Sequence, residues 1–191
     1  MAIGDEHAAL YLVREGALKS VSFAPEGEEQ VLAFHLPGEL LGLDALETGR
    51  HRCDVVALGA AVIHELPIAP LLARAIQRPA LHAQLCRAFG QSSGRDQQHV
   101  EMLIRRQASE RIALLLHNLL ERMQPPGEAL AELILPMGRD DIARYLGLAL
   151  ETVSRGFTRL QDDGVIRVTG RRIDIREPDS LQRLARRPWP A

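Results

Sequence analysis

Cysteine is almost missing: the 191-residue chain has two, Cys53 and Cys86. Two thiols are too few for a disulfide framework, a four-thiolate zinc site or an iron–sulfur cluster held by this chain alone, so both read as reduced thiols. No run of eighteen apolar residues occurs, which leaves no candidate membrane-spanning helix. The N-terminal MAIGDEHAAL carries acid where an export signal needs a basic flank and an apolar stretch. The expectation is a cytoplasmic protein with no membrane partner. Metal-ligand spacings are missing as well. The seven histidines form no HxH or HExxH pattern, there is no CxxC, and neither a phosphate loop nor a nucleophile–base pair is visible. The chain does not read as an enzyme. His35, His51 and His64 remain the set that would have to converge to hold a haem or metal, against the alternative of surface or hydrogen-bonded core histidines. Cys53, beside His51 and Arg52, reads either as a redox thiol of lowered pKa or as an inert one.

What is there is ample apolar material, 46% of residues, enough for real cores in one large domain or two small ones. The net charge of −2 conceals an asymmetry. Residues 1–94 hold 7 Lys/Arg against 11 Asp/Glu, or −4, and residues 95–191 hold 16 against 14, or +2. From Arg139 onward the count is 11 against 8, or +3, and every base is arginine. A basic C-terminal part is compatible with nucleic acid, and equally with a solvated surface.

The first third reads as short strands and turns. LYLVREGALKSVSF alternates around Glu15-Gly16, PEGEEQ is a polar hairpin tip, VLAFHL is a further strand, and RCDVVALGAAVIHELP supplies two more around Gly59. Strands at this spacing predict a sandwich or roll. LYLV is reached within ten residues, so a first strand to pair with it has no sequence to come from. From Pro70 the period turns helical. Leu71, Leu72, Ala75 and Ile76 fit a short helix, and a long one runs from Pro79 to about Arg106. Its stripe of Leu81, Leu85, Ala88 and Phe89, then Val100, Leu103 and Ile104, is interrupted by Ser92, Ser93, Gly94 and Asp96. Such a stripe suits a marginal helix–helix seam between two copies, or packing on the chain's own strands. ASERIALLLHNLLERM is an amphipathic helix with Ser109 as its candidate cap and Ile112, Leu115, Leu116, Leu119 and Leu120 inward. QPPGEALAE is a loop and LILPM a short strand.

RDDIARYLGLALETVSRGFTRLQDDG carries two helices joined at Gly147. The first runs from about Arg139 to Leu146, with Ile142, Ala143 and Leu146 inward. The second runs from about Leu150 to Asp162, with Val153, Phe157 and Leu160 inward. Ala143, Gly147 and Val153 are small or compact where two steeply crossing helices approach, as in a helix-turn-helix. Outward lie Glu151, Thr152, Ser154, Arg155, Thr158 and Arg159. In the major groove, an arginine there pairs two donors with guanine and a glutamate accepts from cytosine. Alternatively, Glu151 and Arg155 at i, i+4 form a solvated intrahelical pair. VIRVTGRRIDI follows as a hairpin around Thr169-Gly170-Arg171, making a winged helix with Arg167, Arg171 and Arg172 within reach of phosphates. DSLQRLARR adds a last helix capped by Asp179 or Ser180.

RDDIARYLGLALETVSRGFTRLQDDGVIRV resembles the DNA-binding segment of the Crp/Fnr bacterial transcription regulators, and Glu151, Ser154 and Arg155 match the E-x-x-S-R signature of the Fnr branch. LYLVREGALKSV and FHLPGELLGLDAL resemble that family's effector roll, and HVEMLIRRQASERIALLLHNL its dimerisation helix and the helix after it. The fold class expected is α+β. It comprises an N-terminally truncated cyclic-nucleotide-binding-like β-roll over 1–78, a dimerisation helix over 79–107 and a winged helix-turn-helix over 108–191.

The resemblance implies a homodimer with Leu85, Phe89, Asp96, Val100 and Leu103 in its seam, Asp96 standing where Fnr-branch proteins place an acid. It implies double-stranded DNA as partner, a TTGA-type inverted repeat, Glu151, Ser154 and Arg155 on the bases, and Thr152, Thr158, Arg159, Arg171 and Arg172 on phosphates. It also implies contact with RNA polymerase and a role as activator. The departures argue against two of the family's cofactors. His64 stands where the Fnr branch has its later cluster cysteine, and Asp44 and His51-Arg52-Cys53 stand where relatives bind a cyclic phosphate, with Arg52 one register off. Haem is left open. Gly138 and Ala149 occupy cap positions where Ser or Thr is usual, and the latter should cost its helix about 1 kcal/mol. The competing reading is a ligand-binding or protein-interaction module with a vestigial DNA-binding domain.

Overall fold

Alternating apolar residues separated by glycine turns build the N-terminal part into strands, and what decides its architecture is where each glycine sends the chain. A computed structural model describes residues 1–105, 107–124 and 131–185, and these form two units, Met1–Gln98 and His99–Ala191. In the first, six strands are β1 (Ala9–Glu15), β2 (Leu18–Phe23), β3 (Glu29–His35), β4 (Leu40–Leu41), β5 (Asp54–Ala57) and β6 (Val62–Pro67), followed by α1 (Ile68–Gln77). They pair as two antiparallel sheets in the orders β4-β1-β6 and β3-β2-β5.

Gly16 turns the chain with φ +74°, and a Cβ there would overlap the Ala60 carbonyl and stand 2.8 Å from the Ala61 Cα. The strands on either side of it do not pair with each other; they enter different sheets. β1 lies in the middle of its sheet with both neighbours supplied from downstream, which corrects the expectation that LYLV lacks a partner. PEGEEQ is only in part a tip, because Glu29 and Gln30 already belong to β3.

The core of this unit gathers Leu10, Leu40, Ala75 and Leu85, with a second cluster of Val13, Leu18 and Leu41. Within α1, Ala75 is buried and Leu71 packs against the core, but Leu72 is 45% and Ile76 84% exposed. A ten-residue helix lays one narrow stripe on a sheet, and the 72/76 row lies one position round from it. α2 (Pro79–Ile104) runs through the last part of the first unit and into the second.

The second unit is built around α3 (Ala108–Met123). Ile112, Leu115, Leu116 and Leu119 are fully buried, and Ala113, Leu114 and Asn118 join them, while Leu120 is only half-buried. The helix is buried well beyond one stripe because α5 (Leu150–Asp162) and α6 (Pro178–Ala185) both pack on it. Ser109 is not its cap: the helix begins one residue earlier, Gln107 takes the cap position, and Ser109 is buried in the first turn. Asp179 and Ser180 are likewise inside the first turn of α6, which opens on Pro178. β7 (Glu132–Ile134), β8 (Ile166–Thr169) and β9 (Arg172–Ile175) form an antiparallel sheet in the order β7-β9-β8. The loop expected at QPPGEALAE falls mainly on residues 125–130. That stretch, the tail at 186–191 and Arg106 lie outside the described residues.

Candidate nucleic-acid interface

α4 (Arg139–Leu146) and α5 form the helix pair. Gly138, at the head of α4, has no side chain to cap it, but its N–H donates to the Asp141 carboxylate at 3.1 Å, so half of a capping box is made. Gly147 ends α4 in the left-handed region at φ +60°, and the Leu148 N–H closes back on the Ala143 carbonyl at 3.0 Å. Ala149 then heads α5 with no side-chain cap, so that among the first N–H groups the one of Thr152 turns to the Ala149 carbonyl at 3.0 Å while those of Leu150 and Glu151 have no partner among the described residues. Ile142, Ala143 and Leu146 are buried as the spacing predicts, and so is Tyr145. On α5, Val153, Phe157 and Leu160 face the core together with Gly156. A Cβ on Gly156 would overlap Ile112 Cδ1, so the absence of a side chain here lets α5 lie close against α3.

The outward side of α5 carries Glu151, Ser154, Arg155, Thr158 and Arg159 exposed and Thr152 half-buried. The i, i+4 pair between Glu151 and Arg155 is not formed: among the described residues neither makes an ion pair or side-chain hydrogen bond. Ser154 Oγ donates to the Leu150 carbonyl at 3.0 Å and Thr158 Oγ1 to the Ser154 carbonyl at 3.2 Å. Both hydroxyl hydrogens are thus turned onto the helix, and the oxygens face out as acceptors. Arg139 lies over the Phe157 ring at 3.4 Å, and burial pulls its guanidinium down from the usual arginine range.

Behind α5, Thr169 pairs with Arg172 across Gly170 and Arg171, so the wing is a hairpin with a two-residue loop. Gly170 takes φ +61° there. Arg171 Nη1 donates to the Pro136 carbonyl at 2.9 Å. Arg172 is held by two acids, Glu132 at 2.7 Å and Asp174 at 3.0 Å, and its hydrogen bond holds the Asp174 carboxyl below the usual carboxylate range. The Arg172 side chain is nonetheless 55% exposed, and Arg167, on β8, is exposed as well.

A Crp-like helix-turn-helix domain matches residues 110–184 and a cyclic nucleotide-binding domain matches residues 1–75. Transcriptional activator protein Anr of Pseudomonas protegens is 41% identical over 182 residues, covering 95% of this chain and 75% of that protein. The fumarate and nitrate reduction regulatory protein of Escherichia coli K12 is 37% identical over 182 residues, 95% of this chain and 73% of that protein. The chain belongs to the Crp/Fnr family. Among solved structures, FixK2 from Bradyrhizobium japonicum superposes with a TM-score of 0.85 at 29% identity, over 98% of this chain and 92% of that one. A CRP-family transcriptional regulator from Thermus thermophilus gives 0.74 at 26%, over 96% and 91%. This Crp/Fnr chain is a DNA-binding regulator of transcription, with a β-roll, a long helix and a C-terminal helix-turn-helix.

The residues of this Crp/Fnr roll fit neither of two groups that the family resemblance suggests, a cyclic phosphate and a cysteine-held cluster. A cavity of about 490 Å³ within the N-terminal unit is lined by Ser20, His35, Asp44, Cys53, Phe89 and Ser92 among others, with no lysine or arginine among the lining residues. The Arg52 guanidinium pairs with Glu47, and only its backbone N–H turns to Asp44, at 2.7 Å. A carboxylate without a cationic partner for an anion does not fit a cyclic phosphate. Nor do the two cysteines fit a cluster: Cys53 is buried beside Asp44, and Cys86 is exposed on α2. Burial first, and the Asp44 charge second, push the Cys53 thiol up, which corrects the reading of it as a redox thiol of lowered pKa.

The three histidines left open for haem or metal do not converge. His35 bonds Ser20 at 2.7 Å, His51 is buried against Asp44 at 3.3 Å, and His64 is exposed on β6. Among the described residues no group of three or more His, Cys, Asp or Glu is placed to hold a metal ion.

The expected seam divides along α2. Leu85 is buried with Leu10, Leu40 and Ala75, and the partly buried Phe89 packs against the same cluster, so both make contact with their own roll. Asp96 and Val100 are exposed, Val100 by 58%, and Leu103 by 37%. The periodicity shows that a face is apolar but not what covers it. Gly156, by contrast, had a readable signal: a glycine on the Val153–Leu160 stripe marks a close approach.

Proposed function

We propose that this regulator works as a homodimer on an inverted repeat of TTGA-type half-sites, inserting the N-terminal end of α5 into successive major grooves. Arg155 donates its two-toothed fork to a guanine, Glu151 accepts from a cytosine amine, and Ser154 adds a weaker contact. Thr152, Thr158, Arg159, Arg167 and Arg171 meet phosphates, which position the helix without carrying sequence information. The observation that carries the reading is that Glu151 and Arg155 stand exposed on one end of a groove-sized helix without neutralising each other. Asp96, Val100 and Leu103 form the seam on α2. By analogy with relatives named as transcriptional activators, the protein acts on promoters in the cytoplasm through RNA polymerase.

The test is fluorescence anisotropy on a TTGA palindrome and on scrambled DNA at stepped salt. Arg155→Ala is expected to cost about 1–3 kcal/mol on the palindrome and much less on the scrambled duplex. An equal loss on both would remove base reading from the mechanism.

A further inference from the structure

The C-terminal end of α4 is fastened by side chains that come from well before it in the chain. The last four carbonyls of a helix have no intrahelical partner. Two of those of α4 are claimed from outside. His99, in the last turns of α2, has Nε2 at 2.7 Å from the Tyr145 carbonyl oxygen, and its ring stacks on the Tyr145 ring at 3.9 Å and 7°. A carbonyl only accepts, so the hydrogen sits on Nε2. Arg111, in the first turn of α3, donates from Nη1 to the Leu146 carbonyl at 2.7 Å and from Nε to the Arg105 carbonyl at 2.9 Å. One guanidinium thus ties the residue just after α2 to the last residue of α4, placing its charge at the negative end of that helix. Gly147 closes the corner: a Cβ there would lie 3.6 Å from Leu103 Cδ2 and 4.0 Å from Arg111 Nη1. Every atom named belongs to the C-terminal unit.

The same turns of α2 carry Val100 and Leu103. We infer that His99 and Arg111 are positioning residues that set the geometry of the helix-turn-helix against the seam-bearing turns of α2, and so determine which half-site spacing the dimer accepts. A dimer reads two half-sites at a separation fixed by its own geometry. A loosened joint leaves each reading helix able to bind its half-site but relaxes the separation. The inference rests on the dimeric reading proposed above.

The experiment compares full-length wild type, His99→Phe, Arg111→Lys and the double variant on palindromes whose spacer is lengthened or shortened by one or two base pairs, and on a single half-site. His99→Phe keeps the ring stack and removes the donor; Arg111→Lys keeps the charge but reaches one carbonyl, not both. In the double variant the affinity ratio between best and next-best spacer should fall by about tenfold, the size expected for losing a charge-assisted hydrogen bond. Single half-site affinity should hold. If affinity drops by the same factor on every spacer and on the half-site, or the ratio stays at its wild-type value, the inference is overturned. His99→Phe alone decides the matter if Arg111→Lys fails to fold. A wild-type protein with no spacer preference would overturn the dimeric reading itself, and this inference with it.

Discussion

Gly156 sits in mid-helix, where glycine is about 1 kcal/mol worse than alanine on propensity alone. It is tolerated because a methyl group would overlap Ile112 Cδ1 on α3. Gly156→Ala is therefore expected to lower stability by about 1–3 kcal/mol through overpacking, in spite of the propensity gain. Ile112→Val in the same background should return part of the loss. Urea denaturation followed by circular dichroism checks both; an alanine variant as stable as wild type would show that the two helices have room to part. At this scale the sequence was informative wherever a residue type is tied to one backbone conformation or one spacing. Gly147 as the left-handed stop and Val153, Phe157 and Leu160 as the inward row needed nothing beyond their neighbours. Arg111 was not legible, because its acceptor on Leu146 is 35 residues away and an arginine near a helix start has many possible uses.

The long helix shows the same limit for elements. The stripe on α2 is one row in the sequence but has two destinations: Leu85 and Phe89 go to their own roll, while Val100 stays exposed. Leu85→Ala is accordingly expected to destabilise the N-terminal unit by about 2–5 kcal/mol at any protein concentration. Val100→Glu should leave the melting temperature of the dilute chain unchanged and shift sedimentation equilibrium towards monomer. If Val100→Glu changed neither association nor DNA binding, this turn of α2 would not be part of a seam. Helices and the wing were readable because their contacts are local or come from adjacent elements. Among the roll strands only the β2–β3 hairpin was readable, at PEGEEQ; β1 with β4 and β6, and β2 with β5, join strands that the chain visits out of order.

On the scale of the molecule, two units with separate cores predict two unfolding transitions, and their acid sensitivities should differ. His7, in the N-terminal unit, has an Nε2 that is buried without a partner among the described residues, and its ring meets His51 edge-on at 5.6 Å. Desolvation, then the neighbouring His51, hold it below its ordinary value of 6.5, against a smaller upward pull from Asp44. A depressed pKa means the unfolded chain binds the proton first. This group's contribution is fully present above pH 6.5 and is lost as pH falls from there through the folded value. Calorimetry at pH 7.5 and 5.5 should move the N-terminal transition downwards, and His7→Gln should reduce that movement; equal movement in wild type and variant would exclude His7 as its source. The overall division into roll, long helix and winged helix was legible from changes of hydrophobic period. The paired acids around Arg172 were not, because Glu132 is brought to it only by the β7–β9 pairing.

With the hydroxyl hydrogens of Ser154 and Thr158 directed at carbonyls of their own helix, the face that α5 offers sets lone pairs and one carboxylate beside the guanidiniums of Arg155 and Arg159. On the base reading proposed above, such a face would meet exocyclic amines at its hydroxyls and carboxylate and a purine that accepts twice at Arg155. Any preference for one strand orientation over the other would then be set in part by hydrogens that are already committed before a duplex arrives.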